Sequence, residues 1–238
     1  MSKDSAGRAG KVALRTYLRD WSLANPAYFV VRHAGTLLRD EAERYFCGRL
    51  LDIGCGNKSK QLLVGDLVDE YVGLDHADTL HDLTQADLIG NAYEIPVPDA
   101  SFDSVLCTAV LEHLEDPRAA LLEAFRILKP GGYALYTAPL YWHLHEEPRD
   151  FFRYTRHGLQ HLFSAAGWEI IDIVSMSGFW GTFLTQFNYY LARYARGPLA
   201  YLLAPPIALN NLAAFCLDRG VLRDERFTWL YLVVARKK

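Results

Sequence analysis

The stretch "RLLDIGCGNKSK", residues 49–60, decides the fold. An apolar run, Leu50-Leu51, meets an acid, Asp52, and then a loop carrying Gly54 and Gly56. A short apolar run closed by glycines reads as a buried strand passing into a tight turn. Glycine there permits backbone angles other residues resist and lets the chain approach a ligand closely. A dinucleotide fingerprint would add a third glycine at position 59, where this chain has Ser59. A pyrophosphate also favours helix N-terminal dipoles with no carboxylate beside them. Asp52 therefore suits a ligand bearing positive charge.

Outward from that loop, strands and helices alternate. "YVGLD" (71–75), "ADLI" (86–89) and "FDSVLCT" (102–108) read as strands. Asp116-Pro117 opens a helix with Leu121, Phe125 and Leu128 on one face, and "KPGG" (129–132) ends it. "YALYT" (133–137), a helix over 156–167, "WEIIDIV" (168–174) and "FTWLYLVVA" (227–235) follow. Two further helices are expected before the glycine loop, over 11–24 and 26–46, the second started by Asn25-Pro26. This alternation implies an α/β fold with a doubly wound, mostly parallel seven-stranded sheet. Ligands on such sheets sit at the carboxyl ends of the strands. The expected organisation is an N-terminal helical cap (1–47), a core (48–175), a helical insertion or lid (176–226) and a final core strand (227–238). Asp75, at the end of the second strand, can accept both ribose hydroxyls of an adenosine. This second acid does not discriminate, since NAD sites use one too; it is Asp52 that suits S-adenosylmethionine, whose ammonium and sulfonium are positive.

"LLDIGCGNK", "YVGLDH", "GNAYEIPVPDASFDSVLCTAVLEHL" and "AFRILKPGGYALYTAP" stand in an order that resembles the class I S-adenosylmethionine-dependent methyltransferases, over about 48–174. The resemblance implies a Rossmann-like methyltransferase fold and S-adenosyl-L-methionine as cofactor, with S-adenosyl-L-homocysteine as product. Carried over by position, it assigns Asp52, Gly54 and Gly56 to the methionine moiety and Asp75 to the ribose. The Gly90-Asn91-Ala92 turn flanks the adenine, Asn91 offering its amide oxygen to the amino group. Cys55, Asn57, His76, Thr108 and Leu111 complete the cofactor-binding positions it implies. Two positions depart from the family pattern: Lys58 stands where many members have glycine, and Asn91 where many have an acid. Lys58 fits if its backbone angles are ordinary.

Methyl transfer to a hydroxyl is an in-line displacement that needs a positioned acceptor and a base. "LEHLED" places Glu112 and His113 just past the fourth strand. "PLYWHLHEEPRDFFRYT" (139–155) follows the fifth and is dense in titratable groups. This segment resembles a bacterial subgroup with a "HEEP-DFFRYT" stretch, found in settings of surface polysaccharide or secondary metabolism. His145 is the expected general base, since histidine titrates near neutral pH. His143 is the reserve, and His113 either takes part or closes the cofactor pocket. Arg149, Asp150 and Arg153 are expected to fix the loop as an ion-pair network. His143-x-His145 with nearby glutamates lacks a third well-spaced metal ligand, so no metal is assigned.

Composition sets outer bounds. Of 238 residues, 51% are hydrophobic and the net charge is −3, so a large core is available and no general basic footprint for nucleic acid is present. Cys47, Cys55, Cys107 and Cys216 show no CxxC spacing and read as reduced thiols. "MSKDSAGRAGK" has no apolar run behind it, so a cleaved signal is not expected. The uncharged stretches 173–192 and 197–217 reach membrane-spanning length but carry Thr182, Gln186, Asn188, Pro205-Pro206 and Asn210-Asn211, and read as buried or interfacial helices. Phe179, Phe183 and Phe187 recur every four residues, a face expected to be buried on the domain or to cover the active site. The implied enzyme moves a methyl group to a small-molecule, glycan or lipid-linked acceptor, on oxygen. It is cytoplasmic, with peripheral contact at the inner membrane open through the arginines flanking the insertion. An NAD-type oxidoreductase and a non-catalytic cofactor-binding scaffold stand as alternatives.

Overall fold

A computed structural model describes residues 22–79 and 83–238. The helix expected over 11–24 lies outside the described residues except for positions 22–24, which form a turn. Contacts divide the described residues into two compact units, one of Leu37–Met176 with Trp229–Lys238, the other of Ser177–Thr228 with residues 22–36. Residues 37–47, assigned to an N-terminal cap by sequence, thus belong with the sheet unit.

The sheet unit holds seven strands: β1 (Arg49–Ile53), β2 (Glu70–Asp75), β3 (Leu88–Ile89), β4 (Phe102–Thr108), β5 (Leu128–Pro139), β6 (Glu169–Ser175) and β7 (Leu230–Arg236). Their order is β3-β2-β1-β4-β5-β7-β6. All pairings are parallel except those of β7, which runs antiparallel to β5 and β6. Strand order reverses between β1 and β4, and a crevice for ligand opens at such a switch. In β1, Leu50 and Leu51 are both fully buried, as a strand covered on both faces requires. Each contributes about 1.5–3 kcal/mol by leaving water.

"KPGG" does not end a helix followed by a separate strand. The pairing shifts from Phe102↔Leu128 to Ser104↔Tyr133, so residues 129–132 bulge within β5. Gly131 sits at φ +85 and donates to the Lys237 carbonyl at 2.7 Å. A Cβ on Gly132 would lie 2.8 Å from the Asp103 carbonyl, so only glycine lets the strands approach here. Lys237 Nζ caps the open end of the preceding helix, donating to the carbonyls of Phe125 (2.6 Å) and Leu128 (2.7 Å).

That helix, α3 (Pro117–Ile127), starts as the sequence predicts: Asp116 accepts from the Ala119 N–H at 3.0 Å. It is preceded by α1 (Tyr28–Tyr45) and the single-turn α2 (Gln61–Val64). α1 begins two residues after Pro26, the Asn25 side chain accepting from the Ala27 N–H at 2.8 Å. α4 (Arg156–Ala165) is capped by Thr155, which accepts from the Gly158 N–H. Trp168 packs edge-on against Phe125 and donates its indole N–H to the Leu121 carbonyl at 3.1 Å, joining α3 to β6.

The helical unit contains α5 (Phe179–Ala192) and α6 (Pro198–Leu217). The phenylalanine face of α5 is not the buried one, against the first of the two sequence readings. The buried positions of α5 are Gly181, Thr182, Thr185 and Asn188, while Phe183 is 51% exposed and stacks between Phe179 and Phe187. Small residues let the helices approach, and the interior is joined by amides: Asn188 donates to Asn211 Oδ1 at 3.1 Å and accepts from Asn210 at 2.9 Å. Asn211 in turn donates to the carbonyls of Leu23 and Asn25, each at 2.8 Å. α6 runs unbroken through Pro205 and Pro206. By length and composition it could cross a membrane, with mean hydropathy 1.5, and only 17% of that window is buried. Of the two sequence readings, buried or interfacial, the low burial sets aside the first. The 173–192 stretch is divided between β6 and α5.

Candidate active site

The carboxyl ends of β1, β2, β4 and β5 open on one rim, and β1 passes there into the glycine turn. Gly54 has φ +73, and a Cβ on it would lie 2.4 Å from a Val110 methyl, so the turn requires glycine twice over. Gly56 (φ +52) donates its N–H to Asp75 Oδ2 at 2.8 Å, and His76 donates its own to Oδ1 at 2.8 Å. The Asp75 carboxylate thus ties the loop to the end of β2 and retains a second lone pair on each oxygen. Asn57 accepts from the Ser59 N–H at 3.2 Å, an exposed turn contact.

Asp52 lies beneath this turn and is 1% exposed. One oxygen accepts from the Tyr71 hydroxyl, and the other, Oδ1, has no hydrogen-bond partner. Burial pushes its pKa up to about 6 against the opposing Tyr71 hydrogen bond, with Lys60 and Lys58 pulling it down from farther away. An acid so poorly compensated fits a ligand that brings positive charge and disfavours a diphosphate. The Cys55 thiol nearby is pushed up to about 12 by burial and then by Asp52 and Asp75, so it is a protonated packing group.

Lys58 does not have ordinary backbone angles: its φ is +54, the left-handed region in which glycine would be unstrained. Its ammonium pairs with Asp87, which also accepts from the Gly73 N–H at 2.8 Å. The pair offsets the strain by joining the loop to the chain entering β3. Asn91 also differs from expectation. Its amide oxygen accepts from Tyr93 N and Glu94 N, each at 2.8 Å, which uses both lone pairs. A contact to adenine from Asn91 then falls to the Nδ2 donor. A groove of about 540 Å³ opens beside Ile89–Asn91, between Glu94 and Arg126; neither Asp52 nor Asp75 lines it.

Across the rim, Thr108 ends β4 and Leu111–His113 form a single 3-10 turn. The segment after β5 is fastened onto this turn. Phe151 donates to the Glu112 carbonyl at 2.8 Å, and the Tyr154 hydroxyl donates to the Leu111 carbonyl at 2.8 Å. Tyr154 N–H returns to the Pro139 carbonyl at 2.7 Å. These bonds bring Glu112, His113 and His145 together, one ligand atom of each lying within 4.8 Å of the others. Glu112 is 1% exposed, its Oε2 lacks a hydrogen-bond partner, and burial pushes its pKa up to about 8.

Both histidines are oriented from behind. His113 Nδ1 lies 2.5 Å from the Arg149 carbonyl, and His145 Nδ1 lies 3.4 Å from Asp150 Oδ2 and 3.3 Å from the His143 carbonyl. Acceptors at Nδ1 place the proton there and leave Nε2 as the lone pair. Burial, then the His113 ring 4.7 Å away, lowers the His145 pKa. Asp150 is clamped by Arg153 through both oxygens, at 2.6 and 2.8 Å, which holds its own pKa well below the usual range. Arg149 stands apart from that pair and reaches Asp78 at 4.0 Å. The His143 ring packs tilted against Trp142, 4.8 Å between centroids, and lies 6.4 Å from the His145 ring, outside the cluster. Tyr71, Asp87 and the tie of Asp150 to His145 were not singled out by sequence, because each depends on register or loop closure across 14 or more residues or on a local chain reversal.

Residues 51–136 match the model of a family described as a methyltransferase domain. That is narrower than the 48–174 over which the motifs resemble the class. Over 123 residues the chain is 35% identical to a protein of Mycolicibacterium smegmatis named as a probable S-adenosylmethionine-dependent methyltransferase, covering 49% of this chain and 48% of the relative. The chain therefore spans about half the length of that relative. It is 27% identical over 187 residues to a demethylmenaquinone methyltransferase of Listeria monocytogenes, covering 59% of this chain and 77% of that one. Among solved structures, the crystal structure of the 4+2 cyclase SpnF superposes with TM-score 0.57 at 25% identity, over 84% of this chain and 79% of that one.

Proposed function

We propose that this chain, whose residues 51–136 match a methyltransferase domain, is a class I S-adenosylmethionine-dependent methyltransferase that methylates a hydroxyl on a small, apolar or lipid-linked acceptor. The observation that carries the cofactor reading is the under-compensated Asp52 beneath the glycine turn, with Asp75 beside it holding two loop N–H groups. In this reading Asp75 uses its remaining lone pairs on the ribose hydroxyls. Gly54, Cys55, Gly56 and Asn57 give the methionine end backbone contacts, and Asp52 compensates its positive charge. His76, Ala92 and Leu111 flank the adenosine, Asn91 meets the adenine through Nδ2, and Thr108 borders the sulfur end. When bound, S-adenosylmethionine supplies an electrophilic methyl carbon.

The acceptor's hydroxyl proton leaves at the Glu112–His113–His145 cluster. His145 Nε2 is the lone pair available to it, with Asp150 and Arg153 holding the ring. His143, packed against Trp142, lies on the same loop without joining the cluster. The fold alone does not select this chemistry, since a cyclase shares it.

The helical unit favours an acceptor met at a membrane surface. Its interior is amide-linked while Tyr201 (84% exposed), Leu202, Leu209, Leu212 and Phe187 face outward, an arrangement suited to an apolar surround. Arg193 and Arg196, between α5 and α6, suit anionic headgroups. The test is transfer of radiolabelled methyl from S-adenosylmethionine into cell extracts partitioned between water and organic solvent. Label in the organic phase is expected. Label confined to the aqueous phase removes the lipid-linked acceptor, and none in either removes methyl transfer. Flotation with phosphatidylglycerol vesicles tests the surface separately, binding being expected and lost in a Tyr201→Glu, Leu209→Glu variant.

A further inference from the structure

Glu112, His113 and His145 make a set whose chemistry exceeds that of a single base. Two imidazoles and one carboxylate are the donors that hold Zn²⁺ in catalytic sites, with a fourth position left open. Their ligand atoms already lie within 4.8 Å of one another, and His145 Nε2 is 3.9 Å from Glu112 Oε1. Around a tetrahedral zinc with Zn–N near 2.0–2.1 Å, such atoms stand about 3.3 Å apart, so movements of up to about 1 Å per ligand atom close the site.

Three further features are those of a ligand site. Each histidine has Nδ1 against an acceptor, the Arg149 carbonyl for His113 and Asp150 with the His143 carbonyl for His145, and each presents Nε2. Metal-binding histidines are held in this way from the second nitrogen, and the carboxylate–histidine pairing raises ligand basicity. Asp150 is locked in place by the two-pronged Arg153 contact. Glu112 buries an oxygen with no hydrogen-bond partner, Oε2, an arrangement that costs folding free energy unless something binds there. Glu146 Oε2, 3.8 Å from His113 Nε2, borders the open side.

We propose that Glu112, His113 and His145 bind a divalent transition-metal cation of the zinc class, with an open position for the acceptor's hydroxyl oxygen. It rests on the methyl-transfer reading for what fills that open position, and deepens it. A cation there lowers the pKa of a coordinated hydroxyl, so its proton leaves to solvent and its oxygen keeps the electron pair. His145 Nε2 then serves as ligand instead of taking the proton.

The test uses the whole chain, stripped with chelator and titrated with Zn²⁺ in competition with a chromophoric chelator, and separately with Co²⁺ followed by visible absorption. The expected result is one equivalent per chain and a Co²⁺ d–d spectrum without thiolate charge transfer. His113→Ala, His145→Ala and Glu112→Gln each weaken Zn²⁺ by 100-fold or more, and Asp150→Asn, which touches His145 from behind, by 10–100-fold. Less than a tenth of an equivalent bound overturns the site. So does binding that survives His145→Ala, or a thiolate band that assigns the ion to Cys47 or Cys216, the two exposed cysteines. Calorimetry with S-adenosylhomocysteine on the same samples separates the two readings. Cofactor binding without metal overturns this site alone, while metal without cofactor binding overturns the methyl-transfer reading and leaves the site standing. Retained cofactor binding in a variant also shows that it is folded.

Discussion

Replacing Asp75 by alanine probes the loop and the ligand at once. The carboxylate accepts from Gly56 N–H and His76 N–H at 2.8 Å each, and these bonds exist without ligand. Their loss leaves two backbone donors; each one kept dry costs about 1–3 kcal/mol, less where water enters the space vacated by the side chain. The apo protein is therefore expected to unfold at lower urea with an unchanged slope. The ribose contacts are a separate loss. A hydrogen bond to a charged group contributes about 1.5–3 kcal/mol, so S-adenosylhomocysteine should bind about 10–150-fold more weakly. Asp75→Asn keeps one acceptor but turns an amide N–H₂ towards one of the two backbone donors. It should fall between wild type and alanine in stability while losing most of the ligand affinity. Isothermal titration calorimetry and urea unfolding on the three proteins measure both quantities. A folded Asp75→Ala protein that binds S-adenosylhomocysteine within twofold of wild type would refute the assignment of the β2 tip to the ribose.

Three other changes test neighbouring parts of the account. Gly54→Ala puts a Cβ 2.4 Å from Val110 Cγ2 at φ +73 and should destabilise by about 2–4 kcal/mol; Val110→Ala should recover the steric share but not the backbone share, read by thermal unfolding. Asp52 carries a folded pKa of about 6, raised from 3.8 by burial, so its contribution to apo stability is full below about 3.8 and is lost as pH rises through about 6. That loss is on the order of 3 kcal/mol. Because a cationic ligand favours the ionised form, S-adenosylmethionine affinity should rise between pH 5 and about 6.5 and then level, and Asp52→Asn should abolish the rise. A pH-independent wild-type affinity would remove Asp52 from the ligand's field. His145→Ala should lower turnover at least tenfold while leaving S-adenosylhomocysteine affinity within twofold, since the residue lies on the β5 loop and not on the glycine turn. Unchanged turnover would remove His145 from the reaction, as base or as ligand.

The parts of the fold that follow from local pattern were readable in the sequence. The buried β1 run, β4 over 102–108, the Asp116-Pro117 helix start and the helix that begins at Arg156 all rest on periodicity, caps and glycine turns that act within a few residues. The "KPGG" bulge was not readable as a bulge. Its glycines are fixed by pairing with Lys237 and by contact with Asp103, which are distant in sequence. Which face of α5 is buried was not readable for a similar reason. A phenylalanine every four residues marks a face but not which medium it meets, and partners at Asn210 and Asn211 turned the amide face inward. In the site, the motif positions could be named from the glycine loop and the acids. Lys58 in the left-handed region, the Asn91 oxygen spent on its own turn, and the meeting of Glu112 with His145 depend on how loops close, and composition does not specify that.

The most direct test of the central claim is a calorimetric titration of the wild-type protein with S-adenosylhomocysteine, run beside NAD⁺ under the same conditions. The account predicts one equivalent of S-adenosylhomocysteine bound and no heat from NAD⁺. Saturable NAD⁺ binding, or no binding of S-adenosylhomocysteine by the folded protein, would contradict it.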